Sequence, residues 1–150
     1  MSDLRELYQE VILDHNKKPR NYGELPEATH HAMGHNPLCG DRITIHLKVD
    51  NGIVTNVRFE GSGCAISTAS ASIMTETLKG RTLEDARHVF ETFHGLVTGK
   101  GCPGGAAAEL GKLAAFSGVC DFPARVKCAT LAWHTFVAAT KDEDAPVSTE

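Results

Sequence analysis

A mixed α and β domain is what this sequence predicts, and three features carry the prediction: an alternating hairpin, an amphipathic helix ahead of it and a series of helical segments behind it. In the hairpin, Ile43, Ile45, Leu47 and Val49 alternate with Thr44, His46, Lys48 and Asp50; Asn51-Gly52 follows, and Ile53, Val57 and Phe59 resume the alternation. Asn-Gly between two alternating runs signals a type I′ turn, and the alternation predicts one buried face. The leading helix sets Leu4, Leu7, Tyr8, Val11 and Ile12 at helical spacing after a cap at Ser2 or Asp3, with Pro19 beyond its end. Residues 20–38 are rich in Pro, Gly, His and Asn and carry one short strand near Thr29 to Gly34. From Cys64 the pattern changes to Ala, Ser and Thr with Ile66, Ile73, Met74 and Leu78, a helix entered through Gly61-Ser62-Gly63 and ended by Gly80. A second helix runs from about Leu83 to Leu96, a loop spans 99–105, and a short helix lies near Ala106 to Ala115. Phe122-Pro123-Ala124 opens a last helix carrying Val126, Cys128, Leu131, Ala132, Phe136 and Val137, with Trp133 assigned to the core. Residues 1–150 are expected to form one domain, with a polar tail from Lys141 that frays.

Charge and composition exclude several classes of function. Fifteen Lys and Arg against nineteen Asp and Glu give a net charge of −4, and the cationic runs, such as Lys17, Lys18 and Arg20, are short. That leaves no nucleic-acid footprint. Asp3, Arg5, Glu6, Glu10 and Asp14 interrupt any apolar leader, and no segment approaches membrane-spanning length, so a cytoplasmic protein with no membrane partner is expected. The five cysteines, Cys39, Cys64, Cys102, Cys120 and Cys128, are an odd number at wide, unequal spacings. Without a secretion signal, such a set points to metal binding or thiol chemistry rather than a disulfide framework.

The stretch NPLCGD, residues 36–41, places a thiol and a carboxylate two residues apart at the mouth of a strand. Cys39 and Asp41 share the odd parity of Ile43 and Ile45, so an extended backbone turns both toward the covered face. Cys64 stands at the start of one helix and Cys128 in the first turns of another, where the helix dipole favours the anionic sulfur that binds metal. Together these residues offer three sulfurs and one oxygen, a count that suits tetrahedral zinc. Each also has a plainer role: a buried cysteine serves as a small hydrophobe, and an aspartate after glycine caps a turn. His35, close to Cys39 in sequence beside His30 and His31, is an alternative to Asp41 as fourth ligand. Spacing alone leaves these readings open, since no CxxC pair is present.

Four segments in order carry a family resemblance: LYQEVILDHNKKPRN, NPLCGD, FEGSGCAISTASASIMTE and FPARVKCATLAW. Across nearly its full length the chain resembles the SufU branch of the IscU-like (NifU N-terminal-like) iron–sulfur cluster assembly proteins. The resemblance implies an α+β fold, a three-stranded antiparallel sheet with helices packed on one face, and a single metal site made by Cys39, Asp41, Cys64 and Cys128. Two departures separate the branches. IscU-type scaffolds have a histidine directly before the third cysteine and a Pro-Pro-Val-Lys segment upstream, whereas here the positions read Arg125-Val126-Lys127. The interval from Cys64 to Cys128 also carries the extra helical segment typical of the SufU branch.

What the resemblance implies is a zinc-bound acceptor that takes persulfide sulfur from a SufS-type cysteine desulfurase and passes it to a SufBCD-type scaffold or to apo-proteins. A coordinated thiolate is a poor nucleophile, so one ligand must leave. By resemblance, a histidine of the desulfurase replaces Cys39 on the zinc and Cys39 accepts the sulfur, with Cys128 the second candidate. Arg125 and Lys127 flank Cys128 and either steady a persulfide anion or are simply solvated cations; Arg125 is the favoured one of the two. Cys102 and Cys120 are read as structural or incidental. The alternative functional reading is a scaffold that assembles a transient [2Fe-2S] cluster, or binds iron, on the same ligands and hands it to apo-proteins. A third, of another class, is a zinc-stabilised interaction module without sulfur traffic.

Overall fold

The computed structural model describes residues 2–36, 40–98, 112–113, 115–116, 123–141 and 147–148. Helix α1 (Ser2–Lys17) precedes three antiparallel strands, β1 (His30–Asn36), β2 (Asp41–Asp50) and β3 (Ile53–Ser62). Helices α2 (Ala65–Leu78), α3 (Leu83–Val97) and α4 (Pro123–Thr140) follow, and β4 (Val147–Ser148) closes the described chain. The sheet order is β3-β2-β1-β4, so the predicted three-stranded antiparallel unit gains a two-residue parallel edge strand from the tail. The short helix expected near Ala106 to Ala115 falls almost wholly outside the described residues, as do Cys102 and Cys120.

The hairpin forms where the alternation places it. Asn51 and Gly52 both take positive φ, 53° and 77°, as a type I′ turn requires of its two central residues. Its register pairs Ile45 with Phe59 and Leu47 with Val57. Ala32, Ile43, Ile45, Leu47, Val57 and Phe59 turn to the face that the helices cover. Strand β1 runs two residues beyond the expected strand, far enough for Asn36 to pair with Asp41. At Gly34 a side chain would collide with Thr135 and Leu131 of α4, so the absence of a Cβ allows that helix to lie close against the strand.

Helix α2 is built for close packing. Ala69, Ser70, Ala71 and Ser72 are all buried, and small side chains let neighbouring helices approach. Their hydroxyls are partnered: Ser70 donates to the Ala129 carbonyl at 2.6 Å, and the Trp133 indole donates to Ser70 at 3.1 Å. Ser72 accepts the Arg20 backbone N–H at 2.8 Å and meets Nδ1 of His15 at 2.7 Å, which ties α1 to α2. Trp133 is fully buried and stacks on Phe93 with ring centroids 4.8 Å apart, joining α3 to α4.

Two partly or wholly enclosed histidines make this packing sensitive to acid. His15 is 1% exposed, and its desolvation holds its pKa below the usual histidine value, with Arg20 and Lys112 adding to the effect and Glu76 opposing it. His134 is lowered in the same direction by burial and then by the neighbouring His94. Both are less readily protonated in the fold than in the unfolded chain. Their contribution is complete above the ordinary pKa of about 6.5 and is lost as pH falls below it. Denaturant midpoints should decline as pH falls below about 6.5, and the decline should be shallower in His134→Gln than in the wild type. Parallel curves for the two proteins would remove His134 from this account.

Candidate metal centre

Three elements meet at one end of the covered sheet face. Asp41 opens β2, is fully buried, and shares its side of the strand with Ile43 and Ile45, as its parity predicts. Beyond the end of β3, Gly63 lets the chain pass close to that carboxylate: an added Cβ would stand 2.7 Å from Asp41 Oδ1. Cys64 is then the N-cap of α2, the position where a side chain accepts from the first free amides. Its sulfur accepts the Ser67 N–H at 3.4 Å, and its own N–H donates to Asp41 Oδ1 at 2.8 Å. Cys128 lies on the second turn of α4, 3% exposed, with the Asn36 side-chain amide 3.6 Å from its sulfur.

The consequence is a cluster of three ligand atoms, one each from Asp41, Cys64 and Cys128, all within 4.8 Å of one another. About a tetrahedral zinc, with bonds of roughly 2.3 Å to sulfur and 2.0 Å to oxygen, ligand atoms stand about 3.5 to 3.8 Å apart. Closing from the observed spacing to that one takes small side-chain movements. Two soft sulfurs with one carboxylate also suit zinc or iron better than the hard cations magnesium or calcium. The donor set therefore fits a transition metal.

Cys39, the fourth expected ligand, lies outside the described residues, although Gly40 alone separates it from Asp41 in the chain. The histidine alternative is not supported: His35 alternates away from Asn36 along β1, and no histidine belongs to the cluster among the described residues. His31 instead meets His46 at 2.8 Å, and His46 reaches Glu60 at 2.8 Å, on the other face of the sheet. Arg125 is exposed on the first turn of α4, one turn before Cys128, and Lys127 is half-buried. Sequence reasoning missed Asn36 and Gly63. Both sit beside recognised ligands, but what they do depends on contacts that alternation does not encode.

An antiparallel three-stranded unit backed by helices gathers an acid and two thiols where strand and helices meet, a donor set that fits a thiophilic metal. Residues 7–129 match the family described as NifU-like N terminal domain, and the chain belongs to that family. It is 43% identical over 143 residues, 95% of each chain, to the protein named zinc-dependent sulfurtransferase SufU of Bacillus subtilis (strain 168). It is 39% identical over 141 residues to the iron-sulfur cluster assembly scaffold protein IscU of Streptococcus pyogenes serotype M1, covering 94% of this chain and 87% of that one. Among solved structures, FiSufU of Fervidobacterium islandicum AW-1 superposes with a TM-score of 0.81 at 34% identity, over 87% of this chain and 93% of that one. Among the described residues no helix is long and apolar enough to cross a membrane.

Proposed function

We propose that this chain works in iron–sulfur cluster assembly as a zinc-dependent sulfur acceptor, taking persulfide sulfur from a SufS-type cysteine desulfurase in the cytoplasm and passing it to a SufBCD-type scaffold or to apo-proteins. The observation that carries the reading is the convergence of Asp41, Cys64 and Cys128 to within 4.8 Å. Cys39 completes the set as the fourth donor. A resident zinc would keep the sulfurs in the thiolate form that exchange chemistry uses.

The transfer itself balances without an external oxidant. The Cys39 thiolate attacks the terminal sulfur of the desulfurase persulfide, the old S–S bond breaks, the desulfurase thiolate leaves, and a new persulfide remains on Cys39. Cys64 and Cys128 hold the site together, Asp41 supplies the oxygen ligand, and Arg125 at the start of α4 offers a cation to the anionic sulfur being passed.

The name of the Streptococcus relative favours a second reading, in which the same residues hold a [2Fe-2S] cluster in transit. It has to manage with Lys127, a residue that does not ligate when protonated, before the third cysteine. One assay separates the readings. Adding the zinc-loaded protein to a SufS-type desulfurase should raise its rate of alanine formation from cysteine. No rate change, together with visible cluster absorption on addition of iron and transfer to an apo-ferredoxin, would favour the scaffold. Neither outcome would leave a zinc-stabilised interaction module.

A further inference from the structure

We infer that Asn36 is a positioning residue for the metal centre, donating an N–H···S hydrogen bond from its side-chain amide to the sulfur of Cys128. This rests on the metal reading above and goes beyond its ligand set. Asn36 is fully buried and ends β1. It faces Asp41 across the last pair of the β1–β2 ladder, and its backbone carbonyl accepts the Gly40 N–H at 2.8 Å. Its amide nitrogen stands 3.6 Å from Cys128 Sγ, across 92 residues of sequence. One residue thus touches the Asp41 strand, Gly40 just before it and the Cys128 helix.

The chemistry fixes the direction of the bond. An amide nitrogen only donates, and a metal-bound thiolate carries no proton and accepts through its remaining lone pairs. Such a bond aims the sulfur and withdraws charge from it, as partners of metal ligands do elsewhere; removing such a partner typically costs about 10- to 100-fold in metal affinity. It also makes Cys128 the less nucleophilic sulfur, a ligand that stays while another departs.

The test compares wild type with Asn36→Asp, which keeps the shape but replaces the donor with an acceptor, and with Asn36→Ser, whose hydroxyl falls short of the sulfur. Zinc affinity by chelator competition should fall about 10- to 100-fold in both variants. In the cobalt-substituted proteins the sulfur-to-cobalt charge-transfer band should move to lower energy, because a lone pair without its hydrogen bond lies higher. Folding is followed by fluorescence of Trp133, the single tryptophan. A third measurement needs no variant: in the cadmium-113 protein, the Asn36 side-chain amide protons should couple to the metal through the hydrogen bond. Unchanged affinity and band position, or no such coupling in a wild type that does bind cadmium through thiolates, overturns the assignment of Asn36 alone. A wild type without thiolate–metal bands overturns the metal reading and this inference with it.

Discussion

Stripping zinc from the protein with a strong chelator should lower its melting temperature by at least about 6 °C. Structural zinc in small peptides contributes roughly 10 to 16 kcal/mol, against a whole-domain stability of about 5 to 15. If only a third of the smaller figure, about 3 kcal/mol, were realised here, a domain of this size would shift by about 6 to 12 °C. Geometry argues for more than that minimum. The three described ligand atoms belong to the first residue of β2, the N-cap of α2 and the second turn of α4, so one ion would clamp the sheet to both helices.

A divalent cation would also place an opposite charge beside the fully buried Asp41 carboxylate. Calorimetric scans of zinc-loaded, chelated and zinc-restored protein give the measurement: the transition should fall on chelation and recover on re-addition. A transition that ignores the chelator would place the metal at the periphery and remove its structural role.

Much of this geometry is legible in the sequence, and what is hidden has a common cause. Parity along β2 places Asp41 on the buried side with Ile43 and Ile45, because a strand's side chains alternate whatever its surroundings. The glycines before Cys64 and the helical pattern after it mark an N-cap, and the structure puts Cys64 there. Asn51-Gly52 fixes the turn by its backbone requirement alone. These are local rules, read within a few residues. Asn36 is a different case, since its value lies in a sulfur 92 residues away. So is Ser72, whose hydroxyl looks like ordinary helix composition until His15 of α1 and Arg20, just past that helix, meet it. Pairing of Val147 with Gly34 is likewise a meeting of segments far apart in the sequence, in a tail whose polarity reads as fraying. The family resemblance supplies the grouping of Asp41 with Cys64 and Cys128 that periodicity leaves open.

Replacing Cys39 by serine should reduce desulfurase stimulation to the level of the desulfurase alone while the protein stays folded. The argument turns on which sulfur is free to leave. Cys64 is held by the Ser67 N–H at its sulfur and by its own N–H to Asp41, and Cys128 sits buried on a helix beside Asn36. Withdrawing either would break a helix-anchored contact. Cys39 stands between Pro37 and Gly40 in the sequence, outside the bounds of α2 and α4. Cys39→Ser removes one sulfur and leaves Asp41, Cys64 and Cys128, so its melting temperature should stay well above that of the chelated wild type. Cys64→Ser should lose zinc and stimulation together, whereas Cys102→Ser and Cys120→Ser should lose neither. Mass spectrometry after a single turnover should find the added sulfur on Cys39 in the wild type. Stimulation that survives in Cys39→Ser, with the sulfur found on Cys128, would move the acceptor role to α4 and make Cys39 a ligand only.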